Sequence, residues 1–318
     1  MNTSVTAYAP GGVGNVGPGL DILGLALAGA GDTVRAEWSN IPGVQILDPG
    51  HPELPREPER HASGLAARAV LQRVKDHPER QRGIGLTVSK GLPLSGGQGG
   101  SAASAVAAAV AVNTLLGAPL SDGSLVAACL DAEETVSGRH ADNIVTSLLG
   151  GIVLIRCLDP LDTIKLPVPE ELWVVVVRPD QRVRTADARA VLPADIPRAV
   201  AMHQAAQVGA LVAALASSDY GLLGRAIDDQ IAEPARAGLL PGFREAKAAA
   251  LKAGALGCSI SGSGPSVFAL VQGRELGVLV GKAMEQAYHS CRLTSNTRVV
   301  RIDEKGARLV RDGKDMAR

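Results

Sequence analysis

Gly91-Leu-Pro-Leu-Ser-Gly-Gly-Gln-Gly-Gly-Ser-Ala-Ala-Ser-Ala-Val106 crowds five glycines into a turn that runs straight into an alanine-rich helical segment. Glycine accepts positive φ and lets a ligand come close to the main chain, while the first N–H groups of the following helix are unspent and lie at the positive end of its dipole. Together they make a cradle for a phosphate. Ser101 and Ser104 fall in the first turn, where a hydroxyl caps the helix or reaches a phosphate-bound metal.

Upstream, Ile84 to Ser89 alternates as a strand that delivers the chain into this cradle, and Ser101 to Leu116 reads as a helix stopped by Gly117 and Pro119. Ser4 to Ala9 is β-like, Pro10 to Gly19 reads as a long flexible turn before Leu20 to Leu27, and Asp32 to Glu37 as a weaker strand. Pro42 to Arg60 is proline-rich and charged, a surface excursion, and His61 to Val74 has helical period. Downstream, Ser121 caps a helix through Val136, Ser137 to Asn143 is a polar loop, and Leu148 to Leu158 a turn and strand, so a first lobe ends near Asp159-Pro160. Leu172 to Val177 is a β-branched run suited to a strand covered on both faces. Helices are expected over Ile196 to Ala216, Tyr220 to Ile231, Gly242 to Ala253 and Leu276 to Tyr288. Gly254 to Pro265 reads as a second glycine-serine loop leading to the strand Ser266 to Val271, and Arg298 to Ile302 and Ala307 to Val310 as a hairpin around Lys305-Gly306.

At 318 residues with no net charge, the chain suits two closely joined lobes and has no global field for nucleic acid or an anionic membrane. Only 2% of residues are aromatic, so the core is built from Ala, Val, Leu and Ile in tight layers of helix and sheet. Cys129, Cys157, Cys258 and Cys291 are far apart and follow no leader, as in a reduced cytoplasmic protein. Apolar runs such as Ala102 to Leu116 are too short to cross a bilayer, so no membrane span is expected. His51, His61, His77, His203 and His289 show no metal-ligand spacing and are assigned to packing or surface.

The glycine loops match none of the commonest nucleotide signatures. No lysine follows the cradle glycines as in G-x-x-x-x-G-K-[ST], and the H-R-D and D-F-G elements of protein kinases are absent. Gly12-Val-Gly-Asn-Val-Gly17 spells G-x-G-x-x-G with Glu37 at the ribose offset, but Pro18-Gly19, Gly29 and Gly31 leave no room for the crossover helix that such a unit requires.

Pro93-Leu-Ser-Gly-Gly-Gln-Gly-Gly-Ser-Ala-Ala103 resembles the P-x-x-x-G-L-G-S-S-A-A loop of the galactokinase, homoserine kinase, mevalonate kinase and phosphomevalonate kinase (GHMP) superfamily. Ala9 to Leu27 resembles the first motif as homoserine kinases carry it, and Leu256 to Ser266 the third. His140-Ala-Asp-Asn143, Thr185 to Pro193 and Glu233 to Phe243 are similar to homoserine kinase blocks in order and spacing, so the likeness covers essentially the whole chain. It implies an α+β fold of two lobes: residues 1–160 ribosomal-protein-S5-like with the phosphate loop, residues 161–318 ferredoxin-like with the substrate arginines. It further implies ATP-dependent phosphorylation of the L-homoserine hydroxyl in threonine biosynthesis, and a homodimer.

Carried over by position, the resemblance gives Lys90, Pro93, Leu94, Ser95, Gly96, Gly97, Gln98, Gly99, Gly100, Ser101, Ala102, Ala103 and Ser104 to the nucleotide. Mg²⁺ falls to Ser101 and Glu133, with the adjacent Glu134 as the alternative. Asn15, Asp21, His140 and Asp142 surround the amino and hydroxyl groups of the substrate, and Arg189 and Arg236 take its carboxylate, for which a planar guanidinium fork is suited. Asn15, Asp21, Ser101 and Glu133 form the catalytic set, with Asp21 orienting the hydroxyl first and acting as base second. Taken singly, each has a plainer reading: Asp21 or Ser101 as a cap, Asp142 and Asn143 as a turn. Arg178, Arg182 and Arg184 read as solvent-facing.

The chain departs from the family pattern at Gln98 and Gly100, where relatives have Leu and Ser, and at Gly64, near which relatives show an adenine-contacting Asn. Two other readings stay open: a kinase of the superfamily acting on mevalonate, a sugar or an amino alcohol, and a non-catalytic ligand-sensing paralogue.

Overall fold

The computed structural model describes residues 3–136, 138–311 and 314–316. β1 (Ser4–Gly14) and β2 (Leu23–Ser39) form the long antiparallel pair at the centre of the first sheet, from Ser4 opposite Glu37 to Gly14 opposite Gly24, with a bulge between Pro10 and Gly12. The turn expected from Pro10 is therefore strand as far as Gly14. These glycines serve close packing: a Cβ on Gly12 would stand 2.6 Å from Leu25 O, and one on Gly14 2.7 Å from Asn143 Nδ2. The real turn, Asn15 to Ile22, has positive φ at Asn15 (56°), Gly17 (55°) and Asp21 (62°).

β3 (Val44–Asp48) runs parallel to β4 (Gly83–Ser89), which pairs with β2. The segment 42–60 is thus not wholly a surface excursion; Val44 and Ile46 are apolar enough to be buried in the core. α1 (Ala62–Arg73), α2 (Gly100–Leu115), α3 (Asp122–Val136) and α4 (Asp142–Leu149) share the core of this lobe. Ala102 to Val112 of α2 are apolar or small on every side and all buried, as a central helix must be. α4 was not expected: it begins at Asp142, inside the segment read as a polar loop, of which Ser137 lies outside the described residues.

β5 (Ile152–Leu158) pairs with β2 and, as a hairpin, with β6 (Leu161–Leu166). The division expected at residue 160 falls in the turn of this hairpin.

The second sheet has the order β10-β7-β9-β8, all antiparallel, formed by β7 (Leu172–Pro179), β8 (Gly257–Ile260), β9 (Val267–Gln272) and β10 (Ser295–Val300). Between β7 and β8 come α5 (Thr185–Ala190), α6 (Arg198–Ser217), α7 (Tyr220–Ala226), α8 (Ala232–Arg236) and α9 (Phe243–Lys252); α10 (Arg274–Ser290) joins β9 to β10. This is the β-α-β-β-α-β arrangement of a ferredoxin-like lobe. Both faces of β7 are covered as its sequence predicts: Val174 and Val176 pack with Leu211 and Leu215, Val175 and Val177 with Ala246 and Met284.

Three expectations change in this lobe. The helix read over Tyr220 to Ile231 ends at Ala226, and the loop 254–265 contains β8. The expected C-terminal hairpin does not form, because β10 joins the second sheet while β11 (Arg308–Arg311) returns to pair with β1, followed by β12 (Lys314–Met316). α6, with 20 residues, is also long and apolar enough by composition to cross a membrane, but its Leu211, Ala214 and Leu215 pack onto the second sheet and α7. All four cysteines are free.

Candidate active site

The three glycine segments meet and are laced together through main-chain groups. Gly12 N–H donates to Gln98 O (3.1 Å) and Gly262 N–H to Gly14 O (3.0 Å). The Ser261 and Ser266 hydroxyls donate to Gly97 O and Gly96 O, both at 2.6 Å. Gly97 (φ 69°) fits only as glycine, since a Cβ would lie 2.6 Å from Gly264 O. The first α2 bond runs from Ala103 N–H to Gly99 O (2.9 Å), leaving the N–H groups of Gly100, Ser101 and Ala102 ahead of it unspent inside the helix.

Of these, Gly100 and Ser101 border a cavity of about 690 Å³ between the lobes. Of the residues assigned to the nucleotide, Lys90, Pro93, Leu94, Ser95, Gly96, Gly97, Gly99, Gly100, Ser101 and Ser104 line it. Gln98, Ala102 and Ala103 do not. The alanine side chains are in the core, and Gln98 is buried, donating from Nε2 to Ser266 Oγ (3.0 Å) and accepting from Arg298, so its amide ties the loop to the second sheet. Gly64 is also off the cavity: Pro58 leans on it so closely that a Cβ would lie 2.6 Å from Pro58 Cα.

Beside the helix start, Ser101 Oγ donates to Glu133 Oε1 at 2.7 Å. The structure separates the two adjacent acids. Glu133 is 6% exposed and faces Ser101, whereas the Glu134 side chain is 60% exposed and pairs with Arg139 at 3.5 Å. No group of three or more His, Cys, Asp or Glu placed to hold a metal ion occurs among the described residues. One hydroxyl and one carboxylate are hard oxygen donors that fit Mg²⁺, an ion that usually takes one or two protein ligands and completes its shell with phosphate and water.

The opposite wall carries the charged residues. Arg189, on α5, forms a two-pronged bond with Asp21, Nη1 to Oδ2 at 2.7 Å and Nη2 to Oδ1, and its Nη2 lies 2.6 Å from His140 Nδ1. Asn15 Oδ1 accepts Asp21 N–H (2.8 Å), while Asp142 Oδ2 accepts Asn15 N–H (2.9 Å). Asp21 thus caps no helix; Arg189 holds its carboxylate and Asn15 its main-chain N–H, and it is not among the residues that line the cavity. Asp142, 1% exposed, has its carboxyl pushed up to about 6, first by burial and then by repulsion from Asp21.

Arg236, on α8, differs from Arg189. It is 2% exposed and lines the cavity, yet Nε and Nη1 donate only to the main-chain carbonyls of Ala188 (3.1 Å) and Gly262 (2.9 Å). No carboxylate pairs with it among the described residues. Burial, and then Arg189 nearby, hold its pKa below the ordinary arginine value. A buried cation costs several kcal/mol unless paired, so this guanidinium is built to meet an anion.

Arg182 is exposed, as its sequence reading had it, but the pair it makes was not foreseen: at the cavity rim it reaches across to the other lobe with a two-pronged bond to Glu53 (2.8 and 3.1 Å). A second residue escaped the sequence reading. Asp32 lies fully buried beneath the phosphate loop. Its signal was present: strand period two puts Asp32 on the same face as the buried Val34 and Ala36.

Comparison with known proteins shows the family. Residues 62–151 match the GHMP kinase N-terminal domain and residues 211–290 the GHMP kinase C-terminal domain. A homoserine kinase of Chlorobium phaeovibrioides is 43% identical over 318 residues, spanning 96% of this chain and 99% of that protein. One from Arabidopsis thaliana is 42% identical over 316 residues, spanning 96% and 85%. The crystal structure of homoserine kinase from Cytophaga hutchinsonii superposes with a TM-score of 0.92 at 39% identity, covering 98% of both chains. With two GHMP lobes in order and full-length relatives at this identity, the chain belongs to the homoserine kinase family of the GHMP kinases.

Proposed function

We propose that this chain transfers the γ-phosphoryl group of ATP to the side-chain hydroxyl of L-homoserine, giving O-phospho-L-homoserine for threonine biosynthesis. The observation that carries the reading is Arg236: a buried guanidinium without a carboxylate partner, on the cavity that the start of α2 also borders. One end of the cavity suits a phosphate chain and the other a small carboxylate.

The unspent N–H groups of Gly100, Ser101 and Ala102 take the phosphate oxygens, in a reaction where positioning and charge stabilisation supply most of the rate. Ser101 and Glu133 hold Mg²⁺, which when bound offsets the charge that develops on the phosphates. Arg236 takes the substrate carboxylate, joined by Arg189 once that side chain turns from Asp21. Asp142 and His140 flank the substrate's amino group; with its carboxyl at about 6, Asp142 is ionised at neutral pH and partners an ammonium. The hydroxyl attacks the γ-phosphorus in line, ADP leaves, and the hydroxyl proton passes to solvent. The Asp21 carboxylate is engaged on both oxygens by Arg189, which favours orientation over proton abstraction.

The same reading has the enzyme working in the cytoplasm as a homodimer. The apolar side chains that α6 leaves outward, such as Met202 at 65% exposure, suit a contact with a second copy, and the mass in solution tests it.

ADP formation with ATP, Mg²⁺ and homoserine, mevalonate, galactose or shikimate tests the function. Turnover with homoserine alone is expected. Turnover with mevalonate and none with homoserine would reject the substrate, and binding of both ligands without turnover would reject the enzyme.

A further inference from the structure

Beneath the phosphate-facing surface of the loop lies a buried polar network that the proposed reaction does not use directly. Asp32 is 0% exposed and gathers four donors. Its Oδ1 accepts the N–H groups of Gly91 (3.0 Å) and Leu92 (3.2 Å), and its Oδ2 accepts the Ser104 hydroxyl (2.5 Å) and the Lys90 ammonium. Lys90 Nζ also donates to Gly100 O (3.0 Å) and Ser104 Oγ (2.9 Å). An ammonium has three protons, and these three acceptors take them all. Lys90 therefore reaches the cavity wall with nothing left to donate to a phosphate.

We propose that Asp32 is a positioning residue for the nucleotide. It fixes the entry of the loop at Gly91 and Leu92, and it fixes the exit through Ser104 and through Lys90 on Gly100 O. Both ends of the loop are thereby set against β2, and the start of α2, where Gly100 and Ser101 line the cavity, is held in place. Lys90 serves in this role as a brace between β2 and α2 rather than as a phosphate ligand. Asp32 acts through these groups and does not touch the ligand. The inference rests on the phosphate role proposed above for the loop.

Binding of ADP and of adenosine to the intact protein separates the possibilities, because only ADP carries phosphates. Asp32→Asn should weaken ADP about 10-fold or more, as expected when a network of charged hydrogen bonds loses its centre, and leave adenosine within about 2-fold. KM should rise for ATP and not for homoserine. A direct Lys90–phosphate contact predicts the opposite, since losing the Asp32 charge frees the ammonium; unchanged or tighter ADP binding by folded Asp32→Asn would overturn the proposal. Should that variant not fold, Ser104→Ala decides, as it keeps the ion pair, removes one of the four bonds to Asp32 and frees one Lys90 proton, so a direct Lys90–phosphate contact again predicts no loss. A fall of about 3-fold in ADP affinity alone supports the proposal, and no change overturns it. If the wild-type protein binds ADP no better than adenosine, the phosphate reading of the loop fails, and this inference with it.

Discussion

At the α2 end of the cavity the ligand-facing groups are main-chain N–H groups, held from below by a buried ion pair. At the α5 and α8 end they are charged side chains drawn from segments that lie far apart in the chain. The first end is preformed, since Gly100 and Ser101 line the cavity with main-chain N–H groups that the helix leaves unspent. The second is only half preformed: Arg236 stands without an acid, whereas Arg189 is already engaged by Asp21 and must exchange that carboxylate for another. In the proposed reaction, binding at one end is recognition by backbone geometry, and at the other it is a competition between carboxylates.

The largest effect that would break this contrast is beside the start of α2. Ser101→Ala and Glu133→Ala should each lower kcat by about 100-fold or more, as loss of preorganised charge stabilisation does, and excess Mg²⁺ should restore part of it. Wild-type turnover in both variants would remove the metal assignment. Next comes the arginine pair. Arg236→Leu should raise KM for homoserine about 10- to 100-fold, the loss of a charged hydrogen bond of ~1.5–3 kcal/mol, with KM for ATP little changed. Arg189→Leu should cost less, because wild-type Arg189 gives up a bond to Asp21 when substrate arrives. Equal losses, measured by steady-state kinetics, would erase the distinction between the two.

Asp142 sharpens the comparison through pH. Its folded carboxyl at about 6 lies above its ordinary value of 3.8, so between these pH values the folded state holds a proton that the unfolded chain has lost. Stability therefore falls as pH rises from about 4 to 6, and the ionised carboxylate is a burden at neutral pH. Asp142→Asn should raise stability at pH 7 by up to ~3 kcal/mol, with no gain near pH 4, while homoserine binding weakens. Denaturant midpoints at the two pH values check this, and an equal shift at both would contradict it. The smallest effect concerns the backbone end. A Cβ on Gly100 would stand 3.6 Å from Lys90 Nζ and Pro93 O, an ordinary contact, so Gly100→Ser fits. It should lower KM for ATP by about 2- to 5-fold, the gain of one neutral hydrogen bond. A rise in KM would show that the loop's geometry tolerates no addition there.

The same contrast explains what was legible beforehand. Glycines bunched before an alanine-rich helix declare the phosphate end, because the chemistry resides in consecutive backbone groups. The charged end was found through motif likeness, which named Asp21, Arg189 and Arg236 but not how Asp21 and Arg189 pair. Where the reading of elements failed, long-range contact had overridden local signal. Gly11 to Gly14 look like a turn but are strand, because β2 and α4 press against them, and the segments around Arg298 and Val310 look like a hairpin but pair with different sheets.

By itself, the amino-acid sequence determined the helices and strands of strong period, the glycine loop and its family, and the set of charged residues proposed for the substrate end. These follow from local preferences and consecutive spacing. Only the tertiary structure decided that Glu133 rather than Glu134 meets Ser101, that Lys90 is spent on Asp32, that Gln98 reaches the second sheet, and that Arg236 is buried without an acid. Each of these depends on which distant side chains share a dry interior, and an unpaired charge is costly only once folding has removed the water.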